Sequence, residues 1–141
     1  MMFHQALANI QWLHVLIAAL AYFALGSLWY SPVLFAKKWI TLVNIDMSDP
    51  NAKKGMPLMF AGSFVCMFII ASGTALLQQF IPGTDANIGF HIGLLIGIML
   101  VSAAVAINYL YTKKPLALFL IDCGYHVAGI TIASTILGAW H

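Results

Sequence analysis

Residues 116–140 read LALFLIDCGYHVAGITIASTILGAW, and this stretch decides the fold. A helix of about 20 apolar residues crosses roughly 30 Å of hydrocarbon, since each residue adds about 1.5 Å. Backbone polar groups in lipid must be bonded within their own segment, so the run is predicted to be helical. It contains one acidic residue, Asp122, and one histidine, His126.

Three further apolar runs of spanning length occupy residues 7–30, 57–81 and 88–111. The 141 residues are 62% hydrophobic and 7% charged, whereas about a quarter of a soluble domain is charged. This composition excludes a disordered chain, a secreted disulfide scaffold and a nucleic-acid-binding domain. We therefore predict an all-α integral membrane protein. Residues 1–141 would form one domain, a four-transmembrane-helix bundle in the lipid bilayer.

The lysines predict the orientation of the bundle. They form three pairs in the connections between spans one and two and between spans three and four: Lys37/Lys38, Lys53/Lys54 and Lys113/Lys114. Short loops rich in lysine stay in the cytoplasm, so both termini are expected outside.

The first cytoplasmic loop contains a short amphipathic pattern after the helix-start signal Ser31-Pro32. Apolar side chains recur at Phe35, Trp39 and Val43, with lysines on another side. This spacing predicts a short interfacial helix in the plane of the headgroups. The expected interfacial anchors are Trp29, Tyr30, Lys37, Lys38 and Trp39.

Polar side chains inside the spans are the candidate functional residues, because each is costly in hydrocarbon and needs a partner. Asp122 lies six positions into span four, and His126 follows at i+4 on the same face. The pair suits proton or ion handling, and it equally suits a structural pair. His14 and His91, nearer the outer side, would extend it to a ladder of titratable groups if all faced one interior.

A metal or haem site is a weaker alternative. Cys66 is expected at about the depth of His126, and His14 would be a third ligand. The chain has no C-x-x-C or H-E-x-x-H motif, so we predict no metal and no cofactor. It also lacks a phosphate loop and a nucleophile elbow, so no catalytic residue is assigned.

Gly89, Gly93 and Gly97 recur every four residues in span three. Small residues at this spacing allow another helix backbone to approach closely. The pattern leaves open whether the second helix belongs to the same chain or to another subunit. Four helices enclose little interior space, so we expect a homo-oligomer.

Three blocks carry a family resemblance: LGSLWYSPVLF at 25–35 with Lys38-Trp39, KKGMP at 53–57, and DCGYH at 122–126 with LGAW at 137–140. Together they resemble a family of small bacterial four-span proteins catalogued as a domain of unknown function. The resemblance implies a bacterial inner-membrane protein and brings no activity. It also implies that the family usually has an amide at position 122, which favours Tyr125 with His126 over an obligatory Asp–His relay.

Three functions follow from these residues. The first is an oligomeric channel-like or transporter-like protein, or an ion- or proton-handling one, centred on Asp122, Tyr125 and His126. The second is a structural or partner-binding subunit without transport, attached to an unidentified membrane partner. The third is a metal- or haem-binding redox protein.

Overall fold

The structure is a computed structural model that describes residues 2–141, and within them it contains helices and turns but no strand. Helix α1 covers Met2–Ala8, α2 covers Trp12–Trp29, α3 covers Ala36–Val43 and α4 covers Met56–Gln78. The third span comprises α5 (Ala86–Leu95), a π-helical segment (Ile96–Ser102) and α6 (Ala103–Tyr111). Helix α7, the fourth span, covers Leu116–Ala139. Four helical segments are long and apolar enough to cross a membrane, which confirms the predicted all-α membrane bundle.

The first span begins later than the sequence pattern predicts. The helix expected from residue 7 is broken after Ala8 and starts again at Trp12. Asn9 and Gln11 flank the break, and Asn is a poor helix former because its side chain competes for backbone hydrogen bonds. Ile10, between them, is buried in the apolar cluster formed with Val15 and Leu137. The break thus lets the chain bury Ile10 before α2 begins.

Helix α7 is the central element. It packs against α2, α4 and α5, and also contacts α3, the π segment and α6. The other spans are less buried than α7, and span three packs extensively on α7. Gln78 Nε2 donates to Ser134 O at 2.9 Å, and Ser134 Oγ donates to Gly89 O at 2.6 Å. These bonds join the second, fourth and third spans in a row.

The glycine stripe of span three lies against α7 of the same chain. A Cβ at Gly93 would lie 2.5 Å from Thr131 Cα, and one at Gly97 would lie 2.9 Å from Val127 Cα. A Cβ at Gly89 would meet the backbone of Ser134. Such close approach requires residues without side chains, and it explains why these glycines are buried while the rest of span three is largely exposed.

The π segment widens span three beside this contact. Ser102 Oγ donates to Gly97 O, five residues earlier, at 2.8 Å. A π turn accommodates an extra residue within a helix and is often found near functional sites. Gly97, the last glycine of the contact, lies within this segment, and Tyr109 of α6 contacts α7 again farther along the chain.

Candidate functional site

The polar centre of the bundle is Asp122 with three neutral hydrogen-bond donors. Tyr30 Oη donates to Asp122 Oδ1 at 2.8 Å, and Trp39 Nε1 donates to the same oxygen at 3.0 Å. Tyr109 Oη donates to Oδ2 through a short bond. Donors from the end of α2, from α3 and from α6 therefore converge on one carboxyl group of α7.

The turn after α2 brings Trp39 to this carboxyl group. Ser31 Oγ donates to Leu28 O at 2.7 Å, and Phe35 N donates to Trp29 O at 3.1 Å, so the chain reverses direction after the first span. Helix α3 then returns along the bundle, and the Tyr30 and Trp39 rings meet edge to face at 5.6 Å. A left-handed Asn44 ends α3 and starts the loop to α4.

Three of the predicted interfacial anchors have hydrogen-bond partners within the bundle. Trp29 Nε1 donates to Ile121 O at 3.0 Å, and both Tyr30 and Trp39 are bonded to Asp122. An indole or phenol near a span end satisfies its polar atom within the protein when a buried acceptor is within reach. Lys37 and Lys38 are exposed on α3.

His126 is bonded to Tyr22 and not to Asp122. His126 Nδ1 lies 2.6 Å from Tyr22 Oη, and the Tyr22 side chain is fully buried. Among the described residues the hydrogen bonds of Asp122 go to Tyr30, Trp39 and Tyr109. The i+4 spacing thus puts Asp122 and His126 on one face of α7. Each is hydrogen-bonded to aromatic side chains of other elements and not to the other.

His14 and His91 do not join this group. The His14 ring lies 4.7 Å from the Trp140 ring and lines a cavity of about 30 Å³ with Gln78 at the other end of the bundle. His91 is exposed, and its Nδ1 lies 2.8 Å from Asn87 O in its own helix. The condition for a ladder, that all these side chains face one interior, is not met here, because each histidine has separate local partners.

Tyr125 lies at the centre of an aromatic cluster. Its ring is 5.1 Å from the His126 ring, 5.3 Å from that of Tyr30 and 5.4 Å from that of Tyr22. Aromatic pairs at such centroid distances contribute beyond the area that they bury. The side chain is 4% exposed, and its hydroxyl has only long contacts, to Tyr22 O at 3.4 Å and Met67 Sδ at 3.7 Å.

A cavity of about 530 Å³ adjoins this cluster, between the first two spans and beneath the α3 loop. One wall is a stripe of α2 and another is a stripe of α4, each at helical spacing. The first stripe is Phe23, Gly26 and Ser27 of α2 with Tyr30 directly after the helix, and the α4 stripe is Met56, Met59, Phe60, Ser63 and Met67. Trp39 and Ile40 of α3, with Ile45, Met47 and Lys53 of the loop, close the lysine-bearing end, and Tyr125 contributes from α7.

The loop between α3 and α4, which closes the cavity, contains two turns held by aspartate side chains. Ser48 donates side-chain and backbone hydrogen bonds to Asp46, and these lower the pKa of Asp46 below its ordinary value. Asp49 accepts from Asn51 N at 2.8 Å in a second turn of the same kind. These turns fix the path that brings Met47 and Lys53 to the cavity.

The residues considered for a metal are not brought together. Cys66 is exposed, and His14 lies at the opposite end from the Asp122 group. Within residues 2–141, no group of three or more His, Cys, Asp or Glu is placed to hold a metal ion.

Several site residues are missing from the sequence prediction. Tyr22, Tyr109 and Met67 contact the predicted centre, and Gly26 and Ser27 line the cavity. A signal for Tyr22 exists, since a tyrosine in the middle of a span needs a hydrogen-bond partner. The cavity-lining residues 23, 26, 27 and 30 also have helical spacing, but nothing in their types indicates a cavity.

The family model described as "Protein of unknown function (DUF1761)" matches residues 13–138, which covers the four spans except for the first residue of span one and the last residue of span four. This match confirms the resemblance to an uncharacterised family. No curated protein and no solved structure matches the chain.

Proposed function

Since the chain belongs to the DUF1761 family of proteins of unknown function, we propose its function from the geometry of the site. The protein binds a small, largely apolar molecule from the cytoplasmic leaflet and carries or senses it, a transporter-like role. The observation that supports this proposal is the cavity of about 530 Å³ between the first two spans. Small-molecule sites enclose about 300–1,000 Å³, with mostly apolar walls and few polar groups.

The lining of the cavity suits a flexible apolar molecule. Four methionines line it: Met47, Met56, Met59 and Met67. Methionine side chains are unbranched and polarisable, so they adjust to ligands of different shape. Phe23 and Phe60 add rigid apolar surface, and the hydroxyls of Ser27 and Ser63 supply sparse polar contacts.

The lysines of the first long connection lie at the same end of the bundle as the mouth of the cavity. Lys53 lines the cavity, and Lys37, Lys38 and Lys54 are exposed nearby in the same connection. Each lysine near an anionic leaflet contributes about 1 kcal/mol of attraction. The proposal thus includes a bacterial inner membrane with cytoplasmic lysine loops, both termini outside, and assembly as a homo-oligomer.

Ion or proton conduction through the bundle has less support. Both carboxyl oxygens of Asp122 accept from neutral donors, and His126 is bonded to Tyr22. Between this centre and the far end, Val15, Ala18 and Ala19 are fully buried. Tight apolar packing there gives a hydrated ion no path within one chain.

A structural or partner-binding subunit is the second candidate, and one observation favours it. Asp122 ties α2, α3 and α6 to α7, as a purely structural polar cluster would. A satisfied network of this kind rigidifies a bundle without any ligand. This candidate predicts that filling the cavity changes nothing that the protein does.

Photolabelling with an adamantyl diazirine, a small apolar carbene source, tests the proposed site. Met67 is 8% exposed and lines the cavity, whereas Met99 is 66% exposed on span three. We expect adducts at Met67, which the probe reaches through the cavity, as well as at Met99. Ser27→Phe puts an aromatic ring into the cavity and should remove the Met67 adduct while the Met99 adduct stays.

Ala24→Phe is the matched control, because Ala24 is exposed on the same helix and does not line the cavity. It should leave the Met67 adduct intact. Labelling of Met99 with none at Met67 in the unaltered protein would contradict a ligand site between the first two spans.

A further inference from the structure

The Tyr125 hydroxyl is a hydrogen-bond donor without a good partner. Its contact with Tyr22 O is 3.4 Å long, beyond the usual range for O–H···O bonds. That carbonyl also accepts a backbone hydrogen bond within α2. The other contact is to the thioether of Met67 at 3.7 Å, and a thioether is a weak acceptor. A phenol that is 4% exposed is expected to have a full hydrogen bond.

The hydroxyl lies at the inner end of the cavity. Its oxygen would be 2.8 Å from a Cβ at Gly26, so the glycine provides the space in which the hydroxyl sits. Gly26 and Met67 are the flanking residues, and both line the cavity together with Tyr125 itself. Along α4, Met67 lies eleven residues from Met56, or about 16 Å from the start of the helix.

We propose that Tyr125 is the recognition group of the cavity and that its hydroxyl donates to an uncharged acceptor, such as a carbonyl, on the bound molecule. This inference rests on the proposed function and adds the chemical class of the ligand. The ligand is then an apolar molecule whose carbonyl, ester or amide oxygen reaches the inner end first.

The charges around the cavity favour an uncharged acceptor over a carboxylate. Lys53 is the cationic residue in the lining, and it lies in the loop at the mouth, not at the Tyr125 end. Within the part of the chain that the structure describes, no cationic side chain lines the cavity beside Tyr125, so an anion bound there would have no counter-ion. A charged group without a counter-ion is costly in such surroundings, whereas a carbonyl needs only one donor.

Benzophenone and diphenylmethane are the probes, because they have nearly the same size and differ by the carbonyl oxygen. Binding of each is measured by equilibrium dialysis against the purified protein in mild detergent, with equal detergent on both sides. The preference is the affinity for benzophenone divided by the affinity for diphenylmethane. This ratio should be about threefold to tenfold higher in the unaltered protein than in Tyr125→Phe, the effect of one hydrogen bond. Comparing the two proteins cancels the different partition of the probes into micelles.

Tyr125→Phe keeps the ring and loses only weak contacts, so the variant should fold and still bind diphenylmethane. Gly26→Ala crowds the hydroxyl and should also reduce the benzophenone preference. Tyr111→Phe is the control, since Tyr111 is 86% exposed and lies outside the cavity. If Tyr125→Phe shows the same benzophenone preference as the unaltered protein, the assignment of Tyr125 is overturned while the cavity site stands. If neither probe binds the unaltered protein, the proposed ligand site in the cavity is itself overturned.

Discussion

Asp122→Ala removes the acceptor shared by three neutral donors and should be the most destabilising single change at the polar centre. The donors are Tyr30, Trp39 and Tyr109, and all three would be left without this partner in an apolar region. The substitution therefore loosens the α3 segment and the end of span three together. Asp122→Asn is the informative comparison, because it keeps the shape and removes the charge.

The size of the effect follows from the number of bonds. Hydrogen bonds between membrane helices average about 0.6 kcal/mol each, and bonds to charged groups are worth about 1.5–3 kcal/mol in soluble proteins. Loss of all three contacts should thus lower the free energy of unfolding by about 2–5 kcal/mol in Asp122→Ala. Asp122→Asn should lose about 1 kcal/mol, since its carbonyl keeps Tyr30 and Trp39 and its amide can donate to the Tyr109 oxygen.

The assay is unfolding in mixed micelles by increasing mole fraction of sodium dodecyl sulfate, followed by far-UV circular dichroism. Tyr109→Phe loses one bond and should fall between the unaltered protein and Asp122→Ala. Tyr111→Phe, on the same helix but exposed, should match the unaltered protein. Equal loss in Asp122→Ala and Asp122→Asn would refute the reasoning, because the charge and not the accepting geometry would then stabilise the cluster.

Two further substitution experiments test the packing and the orientation. Gly93→Ala places a Cβ 2.5 Å from Thr131 Cα and should destabilise the protein by about 1–3 kcal/mol in the same unfolding assay, whereas Gly62→Ala, with open space around it, should not. For the orientation, Lys53→Cys is made in a protein that also carries Cys66→Ala and Cys123→Ala. It should react with a membrane-impermeant maleimide only after lysis of spheroplasts, because the lysine loops are proposed to be cytoplasmic. His141→Cys should react before lysis, and the reverse pattern would contradict the proposed orientation.

The fold was accessible from the sequence because membrane helices have a simple physical signature. Long apolar runs must form helices, and the four spans follow from length and composition. The break at residues 9–11 was not predicted, because it depends on burial of Ile10 against α7. Such a contact involves the far end of the chain, which periodicity within one run does not report.

The candidate site was predictable only in part. The cost of polar groups in hydrocarbon singles out Asp122, Tyr125 and His126, and all three lie in one aromatic cluster. Their partners were not predicted, because Trp39 and Tyr30 have the positions expected of interfacial residues. Their inward orientation depends on the turn at Ser31, which folds α3 back onto α7.

The cavity has no sequence signature of its own. Its walls are apolar stripes that differ from lipid-facing stripes only in what they face. Its existence depends on how α2 and α4 separate at the lysine-bearing end while α7 holds them together farther along. The unusual residue is Tyr125, a buried phenol with weak partners, and that feature emerges only once distances are known.

A native mass spectrum of the protein released from mild detergent shows whether a molecule occupies the cavity. We expect an additional bound mass, that of a small apolar molecule, on the unaltered protein and on Ala24→Phe. The same mass should be missing from Ser27→Phe, whose new side chain occupies the cavity. A protein without bound mass in all three samples, or the same bound mass in all three, would contradict a ligand site between the first two spans.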